Sequence, residues 1–215
     1  MTMTPLKSSH GLTLLEVIIA LAVAAILAMA GAPSFDNYIR NNGVYADRKL
    51  LNTALMGARY EAVARNKTVS MCSSSTGTDC SGTWSQGWIV FLDDGDGGGT
   101  ARDGEHNGSE RILNAFVYQG SNIFTMVDVA ESESLSYLSF NEYGRPAVGG
   151  EQINRPILIQ ICDSKLQDNY ARGLMLIGSG RLIQTIDSDG NGIHESRFAN
   201  GANTLSLTSD LSCSS

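Results

Sequence analysis

Hydrophobic and polar positions divide the chain into three regimes. Residues 12–32 are apolar almost without interruption, and Glu16 is the single charged side chain among them. A helix of that length, rising about 1.5 Å per residue, spans roughly 30 Å, the thickness of a bilayer's hydrocarbon core. Farther on, the apolar positions thin to a stripe, Leu51, Leu55, Ala58 and Ala62, at spacings of four, three and four. Arg48, Asn52, Arg59 and Arg65 read as lying largely off that stripe. The pattern predicts one helix over residues 12–65, about 80 Å long, apolar all round in its first half and amphipathic in its second. Gly31 and Pro33 are expected to bend or loosen it, because proline removes a hydrogen bond and crowds the preceding turn. Asn41-Asn42-Gly43 is a second weak point. After Lys67 the period changes. Short runs rich in β-branched and aromatic residues, at 68–72, 88–92, 111–118, 123–129, 135–140, 157–162, 174–177 and 182–186, are separated by Gly, Asn, Asp and Ser. Gly178-Ser179-Gly180 reads as a hairpin turn. The predicted class is α+β, a long N-terminal helix packed on an antiparallel sheet domain.

Composition narrows the functions open to such a chain. With 15 basic and 22 acidic residues the net charge is −7, so the overall field does not draw in a phosphate backbone, and nucleic acid is disfavoured as a partner. The flanking charges, Lys7 before the apolar run and Arg40, Arg48 and Lys49 after it, run against the positive-inside bias. The four cysteines argue for the opposite orientation: all follow the apolar run, and an even number suits disulfides in an oxidising compartment. Their spacing favours Cys72 with Cys80 and Cys162 with Cys213 among three connectivities. Chain-entropy estimates give the short loop about 3 kcal/mol and the long one about 4 kcal/mol. Zinc is a poor alternative. No C-x-x-C pair exists, and His106 and His194 are the only histidines beyond the apolar run.

The N-terminus carries a more specific signal. An ordinary secretory signal has an apolar run of about 7–15 residues closed by a small-residue cleavage site, and the longer run of this chain fits that pattern badly. Nor does a plain anchor explain Glu16, since a carboxylate near the centre of a bilayer costs about 2.5–3.5 kcal/mol, and less toward its ends. Gly11-Leu12-Thr13-Leu14-Leu15-Glu16, preceded by a short polar leader and followed by the apolar run, resembles the prepilin signature of type IV pilins and type II secretion pseudopilins. The resemblance implies cleavage between Gly11 and Leu12 by a prepilin peptidase and methylation of the new Leu12 terminus. It implies that Glu16 meets the terminal amine of Leu12, most naturally on a neighbouring subunit. Pairing the two charges offsets part of their burial cost and penalises a wrong axial register. The chain then divides into a cleaved leader (1–11), a transmembrane and fibre-core segment (12–33), an amphipathic continuation (34–66) and a periplasmic β-rich domain (67–215).

Three further motifs, Trp84-Ser85-Gln86-Gly87-Trp88-Ile89-Val90-Phe91, Tyr143-Gly144-Arg145 and Gly178-Ser179-Gly180-Arg181, resemble the FimT/FimU/GspH group of minor pilins, and FimU most of all. That resemblance implies the pilin fold and a structural subunit near a pilus tip that helps to initiate assembly. The implied partners are other minor and major pilins or pseudopilins, reached through the N-terminal helix, together with the peptidase and the inner membrane. Two alternatives stand beside it: a GspH-like pseudopilin of type II secretion, and a FimT-like DNA receptor. The second is weakened because Gly180-Arg181-Leu182-Ile183 lacks the second arginine of the Gly-Arg-x-Arg motif that such members use.

No cofactor is expected. Calcium is the metal the acidic loops suggest, because Asp187-Ser188-Asp189-Gly190-Asn191-Gly192 places oxygen side chains at alternate positions before a glycine, as a calcium loop does. Glu195 stands ninth, and Phe198 occupies the twelfth position, where an EF-hand has its glutamate. Asp93-Asp94-Gly95-Asp96 is a looser second loop. A solvated turn, with Asp, Asn and Gly meeting local backbone needs, accounts for both. There is no H-E-x-x-H, G-x-S-x-G or Walker loop, and the expectation is that the chain is not an enzyme.

Overall fold

The computed structural model describes residues 11–199 and 205–213. The expected leader therefore lies outside the described residues except for Gly11. Among the described residues one α-helix, α1 (Leu14–Arg65), precedes thirteen strands, with a short 3-10 turn at Asp168–Tyr170: β1 (Val69–Ser73), β2 (Gly87–Leu92), β3 (Ile112–Val117), β4 (Ile123–Asp128), β5 (Glu133–Ser134), β6 (Tyr137–Phe140), β7 (Pro146–Val148), β8 (Glu151–Gln152), β9 (Ile157–Cys162), β10 (Arg172–Leu176), β11 (Leu182–Gln184), β12 (Glu195–Ala199) and β13 (Leu205–Asp210). The architecture is α+β, and each expected strand run overlaps one of these elements, while β5, β7, β8, β12 and β13 lie outside the expected runs. The helical pattern continues through Gly31, Pro33 and Asn41-Asn42-Gly43 instead of breaking there.

The chain forms two compact units, one ending at Arg40 and the other beginning at Asn41, and α1 contributes to both. In the first unit apolar side chains are exposed around the helix, from Leu14 and Leu15 through Ile18, Ile19 and Leu21 to Ile26, Leu27 and Met29. Among the described residues no helix is long and apolar enough to cross a membrane. The span expected over 12–33 includes residues 30–33, whose side chains lie outside the described set.

The second unit is built on three antiparallel sheets. Their strand orders are β3-β2-β1-β6-β7-β8, β11-β10-β9-β4-β5 and β12-β13. The predicted stripe is the buried face of α1: Leu51, Leu55, Ala58 and Ala62 are all at most 1% exposed. They join one core with Val69 and Met71 of β1, Trp88 and Val90 of β2, Phe124 and Met126 of β4, and Ile157, Ile159 and Ile161 of β9. The period-two alternation of β9 sends its isoleucines to this core, whereas Gln160 donates to Ser212 O at 2.6 Å. Each fully buried large side chain contributes about 1.5–3 kcal/mol relative to exposure. Arg48 departs from expectation. Four residues after Val44 and three before Leu51, it is only 6% exposed and belongs to the buried face.

Candidate functional site

The helix begins with a reciprocal cap. Thr13 N and Thr13 Oγ1 each donate to Glu16 Oε2 at 3.1 Å, and Glu16 N donates to Thr13 Oγ1 at 3.3 Å. This is a capping box, in which two otherwise unpaired helix N-terminal amides gain side-chain partners. The Thr13-x-x-Glu16 spacing was the signal for it, and a reading focused on the charge of Glu16 passes over it. Among the described residues Glu16 has no ion-pair partner. Its carboxylate stands at the positive end of the helix dipole and stays open to a cation supplied from elsewhere. Leu12 is 78% exposed, and nothing lies within 4 Å of a Cβ built on Gly11, so the Gly11–Leu12 peptide is unobstructed in the described chain.

In the second unit the cysteines are bonded Cys72–Cys80 and Cys162–Cys213. Cys72 packs with Ile89 and Phe91, which ties the loop after β1 to the back of β2. Cys162 and Cys213 pack with Ala171 and Leu211, fastening the segment after β13 to the end of β9.

Three sequence motifs prove to be structural joints. In the first, the Trp84 indole donates to Leu135 O at 2.7 Å and Ser85 Oγ accepts from Phe124 N at 2.9 Å. Gly87 has φ +137°, and a Cβ there would lie 2.1 Å from Phe116 O, so no other residue fits between β1 and β3. The other two motifs meet on one side chain: Arg59 Nε donates to Gly144 O at 2.8 Å and Nη2 donates to Ser179 O at 3.2 Å. The β6–β7 turn, the β10–β11 turn and α1 are thereby joined at one point. Arg145 and Arg181 follow the two glycines and are exposed.

The acidic loops separate into two kinds. Oxygens of Asp187, Asp189 and Glu195 lie within 4.8 Å of one another. Their oxygens already accept backbone amides: Asp187 from Gly190 and Gly192, Asp189 from Asn191, and Glu195 from Ser188. Asn191, expected as a ligand, turns its amide nitrogen to Asp189 Oδ2 and Asp210 Oδ2, while its Oδ1 accepts from Ile193 N at 2.7 Å. Its oxygen is therefore committed to the turn, and the loop reads as a self-bonded Asx structure. The earlier loop is organised by buried acids. Asp93 Oδ2 accepts from Ser70 Oγ at 2.5 Å and from Gly104 N at 3.0 Å, and Asp93 Oδ1 accepts from Arg102 N. Glu110 accepts from Gly95 and Asn107 amides. Burial pushes both carboxyls above their usual range, against the pull of those hydrogen bonds.

Both described histidines are hydrogen-bonded within the fold, and His194 Nδ1 also lies 3.2 Å from Thr185 Oγ1. His106 Nε2 meets Glu110 O at 2.9 Å, and His194 Nδ1 meets Thr185 O at 2.8 Å. A cleft of about 460 Å³ between α1 and β3 is lined mainly by Leu50, Ala54, Trp88, Leu113 and Phe116.

Comparison with known proteins gives two family matches. The model of type II transport protein GspH matches residues 49–180, and that of the prokaryotic N-terminal methylation motif matches residues 6–32. Among solved structures, the type IV minor pilin FimU of Pseudomonas aeruginosa (strain PAO1) is 16% identical. That match covers 67% of this chain and 90% of that one, at a TM-score of 0.45. The minor pseudopilin EpsH of the Vibrio cholerae type 2 secretion system is 9% identical, covering 66% of this chain and 94% of that one at a TM-score of 0.43. No curated protein sequence matches the chain.

Proposed function

Because the chain belongs to the GspH family, whose model spans more than half of it, we propose that it is a minor type IV pilin near a pilus tip that helps to initiate fibre assembly. It is a subunit of the class shared by type IV pili and type II secretion, and the family it belongs to is one of structural subunits. The observation that carries this reading is the stretch of α1 from Leu14 to Met29: apolar side chains exposed around it, a carboxylate at its start with no ion-pair partner among the described residues, and a methylation motif over its N-terminus. Exposed apolar surface on that scale must be covered, first by lipid and then by sister helices.

In this reading cleavage between Gly11 and Leu12 keeps the apolar segment on the mature chain. The protein waits in the inner membrane with the cysteine-bearing domain in the periplasm, and Glu16 pairs with the methylated amine of a neighbour when the helix enters the fibre. Thr13 holds that carboxylate at the helix start until the amine arrives. The second reading, a pseudopilin of type II secretion, is favoured by the GspH match itself. Deletion of the gene separates the two. Loss of surface pili and twitching with normal exoprotein release supports the pilin; retained twitching with blocked release assigns the chain to secretion. A DNA-receptor role has little to work with, since Arg181 stands without a second motif arginine on an acidic chain.

A further inference from the structure

The two large sheets end in four edge strands, and three of them are guarded. β5 and β8 are two residues long and each opens with a glutamate, while β11 is three residues long and follows Arg181. Short length and charge keep an edge from recruiting a foreign strand. β3 has neither: its six residues, Ile112-Leu113-Asn114-Ala115-Phe116-Val117, include no charged side chain and no proline. From Asn114 to Val117 its ladder with β2 is regular.

The outer side of that edge is open. Tyr118 N donates to Gln86 O at 2.8 Å, so in the next pair Val117 and Gly87 turn their backbone groups away from each other. Gly87 O accordingly accepts from Ser74 N, on the β1 side, at 3.0 Å. Val117 and, two residues before it, Ala115 therefore direct N–H and C=O away from the sheet, and both residues are exposed. Among the described residues nothing bonds these backbone groups. Beside them lies the cleft against α1. Trp88 and Phe116 line it with their rings 4.8 Å apart, and α1 forms the opposite wall. Gly57 in that wall is exposed, and a Cβ built on it would meet nothing within 4 Å. Glycine weakens a helix interior, and here it leaves the wall hollow. Tyr118 Oη donates to Asp47 Oδ2 at 2.5 Å and so fixes the end of β3 against the helix. Among the described residues the one charged side chain lining the cleft is Glu61, already paired with Arg65 at 2.6 Å.

We propose that β3 is a receiving edge, to which another protein adds an extended, uncharged segment as a further strand, one of its apolar side chains entering the cleft beside Gly57. The open backbone groups select the conformation of the occupant. Donors and acceptors at every second residue fit an extended backbone, whereas a helix has bonded its own amides and a lipid chain has none to offer. Charge selects the side chains. The chain carries a net charge of −7, yet this edge is neutral, and a charged group entering the cleft would be desolvated against Trp88 and Phe116 without a counter-ion. Backbone pairing then supplies affinity, and the side chain in the cleft supplies specificity. The inference goes beyond the fibre reading and holds for either assembly system.

The test uses the full chain in detergent micelles and, as probe, a capped synthetic peptide of alternating valine and threonine with a central phenylalanine. Backbone amide exchange is followed by NMR. The expected result is saturable binding that slows exchange of the Ala115 and Val117 amides and leaves those of Asn114 and Phe116, which face β2, unchanged. Val117→Pro deletes an open donor on the edge, and Gly57→Leu fills the hollow in the helix wall. Each should weaken binding about tenfold, Gly57→Leu without any loss of melting temperature. Equal slowing of the two amides by the same peptide N-methylated at alternate residues overturns the strand pairing, because that peptide keeps its side chains and loses its donors. Absence of saturation, or binding untouched by both variants, overturns the site. Slowing that tracks protein concentration without peptide gives the edge to a second copy and overturns the separate partner. None of these readouts involves leader cleavage, the Leu12 amine or fibre entry, so a failure here is distinct from a failure of the proposed function.

Discussion

Replacing Arg59 by alanine tests the joint on which three parts of the fold depend. The side chain donates to Gly144 O at 2.8 Å in a partly buried setting and to Ser179 O at 3.2 Å in an exposed one. Net contributions of hydrogen bonds from a charged donor run about 1.5–3 kcal/mol, with the exposed one at or below the lower end. Gly144 O has no easy substitute in the partly buried space, so the variant should lose about 2–3 kcal/mol. For a unit of this size each kcal/mol shifts the melting temperature by about 2–4 °C, so the expected drop is roughly 5–10 °C. Trp84 and Trp88 both sit in the core under α1, and their fluorescence reports the transition directly. Gly180→Ala should act at the same place. Gly180 has φ +78°, and an added Cβ would lie 2.0 Å from Gly144 O and 2.7 Å from Arg59 Nε. Because both changes open one junction, the double variant should lose less than the sum of the singles. A loss below about 0.5 kcal/mol in Arg59→Ala, the range of ordinary surface changes, would refute the joint. Strict additivity with Gly180→Ala would refute the shared mechanism.

Four other outcomes follow from the same geometry. Gly11→Ala should leave the leader on, so that N-terminal sequencing begins before Leu12; cleavage at the same bond as in the unaltered chain rejects the processing site. Glu16→Gln preserves a capping-box residue while removing the charge. The helix should be unchanged by circular dichroism and incorporation into fibres should fail, and normal incorporation would show that the charge is dispensable. Removing Cys162–Cys213 should destabilise the domain by about 4 kcal/mol and removing Cys72–Cys80 by about 3 kcal/mol, since their sequence separations are 51 and 8. Denaturant midpoints in the reverse order would contradict the loop-entropy account. His194 is held below its usual range by burial and then by Arg172, so it contributes stability above the unfolded pKa that is lost as pH falls through that range. Arg48→Gln should raise the His194 pKa in an NMR titration, and an unmoved or lowered value would show that the arginine is too distant to matter.

Local periodicity settled the largest features in advance. The 3.6-residue stripe of Leu51, Leu55, Ala58 and Ala62 and the β-branched runs identified the helix and eight of the described strands, though not β12 and β13, because such patterns record which face must leave water. Gly11 through Glu16 was readable for a similar reason: the N-terminal methylation motif that matches there is written in contiguous residues. Cysteine spacing pointed to the bonded pairs because the short loop permits few alternatives. The two-residue strands β5 and β8 and the three-residue β7 left no such record, being too short for a period.

Other features exist only once distant segments meet. Arg48 reads as an off-stripe charge but is buried in the fold, and two turns earlier Asn41 meets Arg172 of β10, more than a hundred residues later in the chain. Asp93 and Glu110 look like solvated loop acids until the loop folds over them and their carboxylates become its internal acceptors. Gly144 and Gly180 advertise turns, but their meeting on Arg59 is a consequence of two sheets closing against one helix. A single chain's pattern encodes the solvent preference of each face. Which charged groups end up sharing one small volume is set by long-range packing, as when the loop between β2 and β3 brings the Asp93 and Glu110 carboxyls within electrostatic reach of each other.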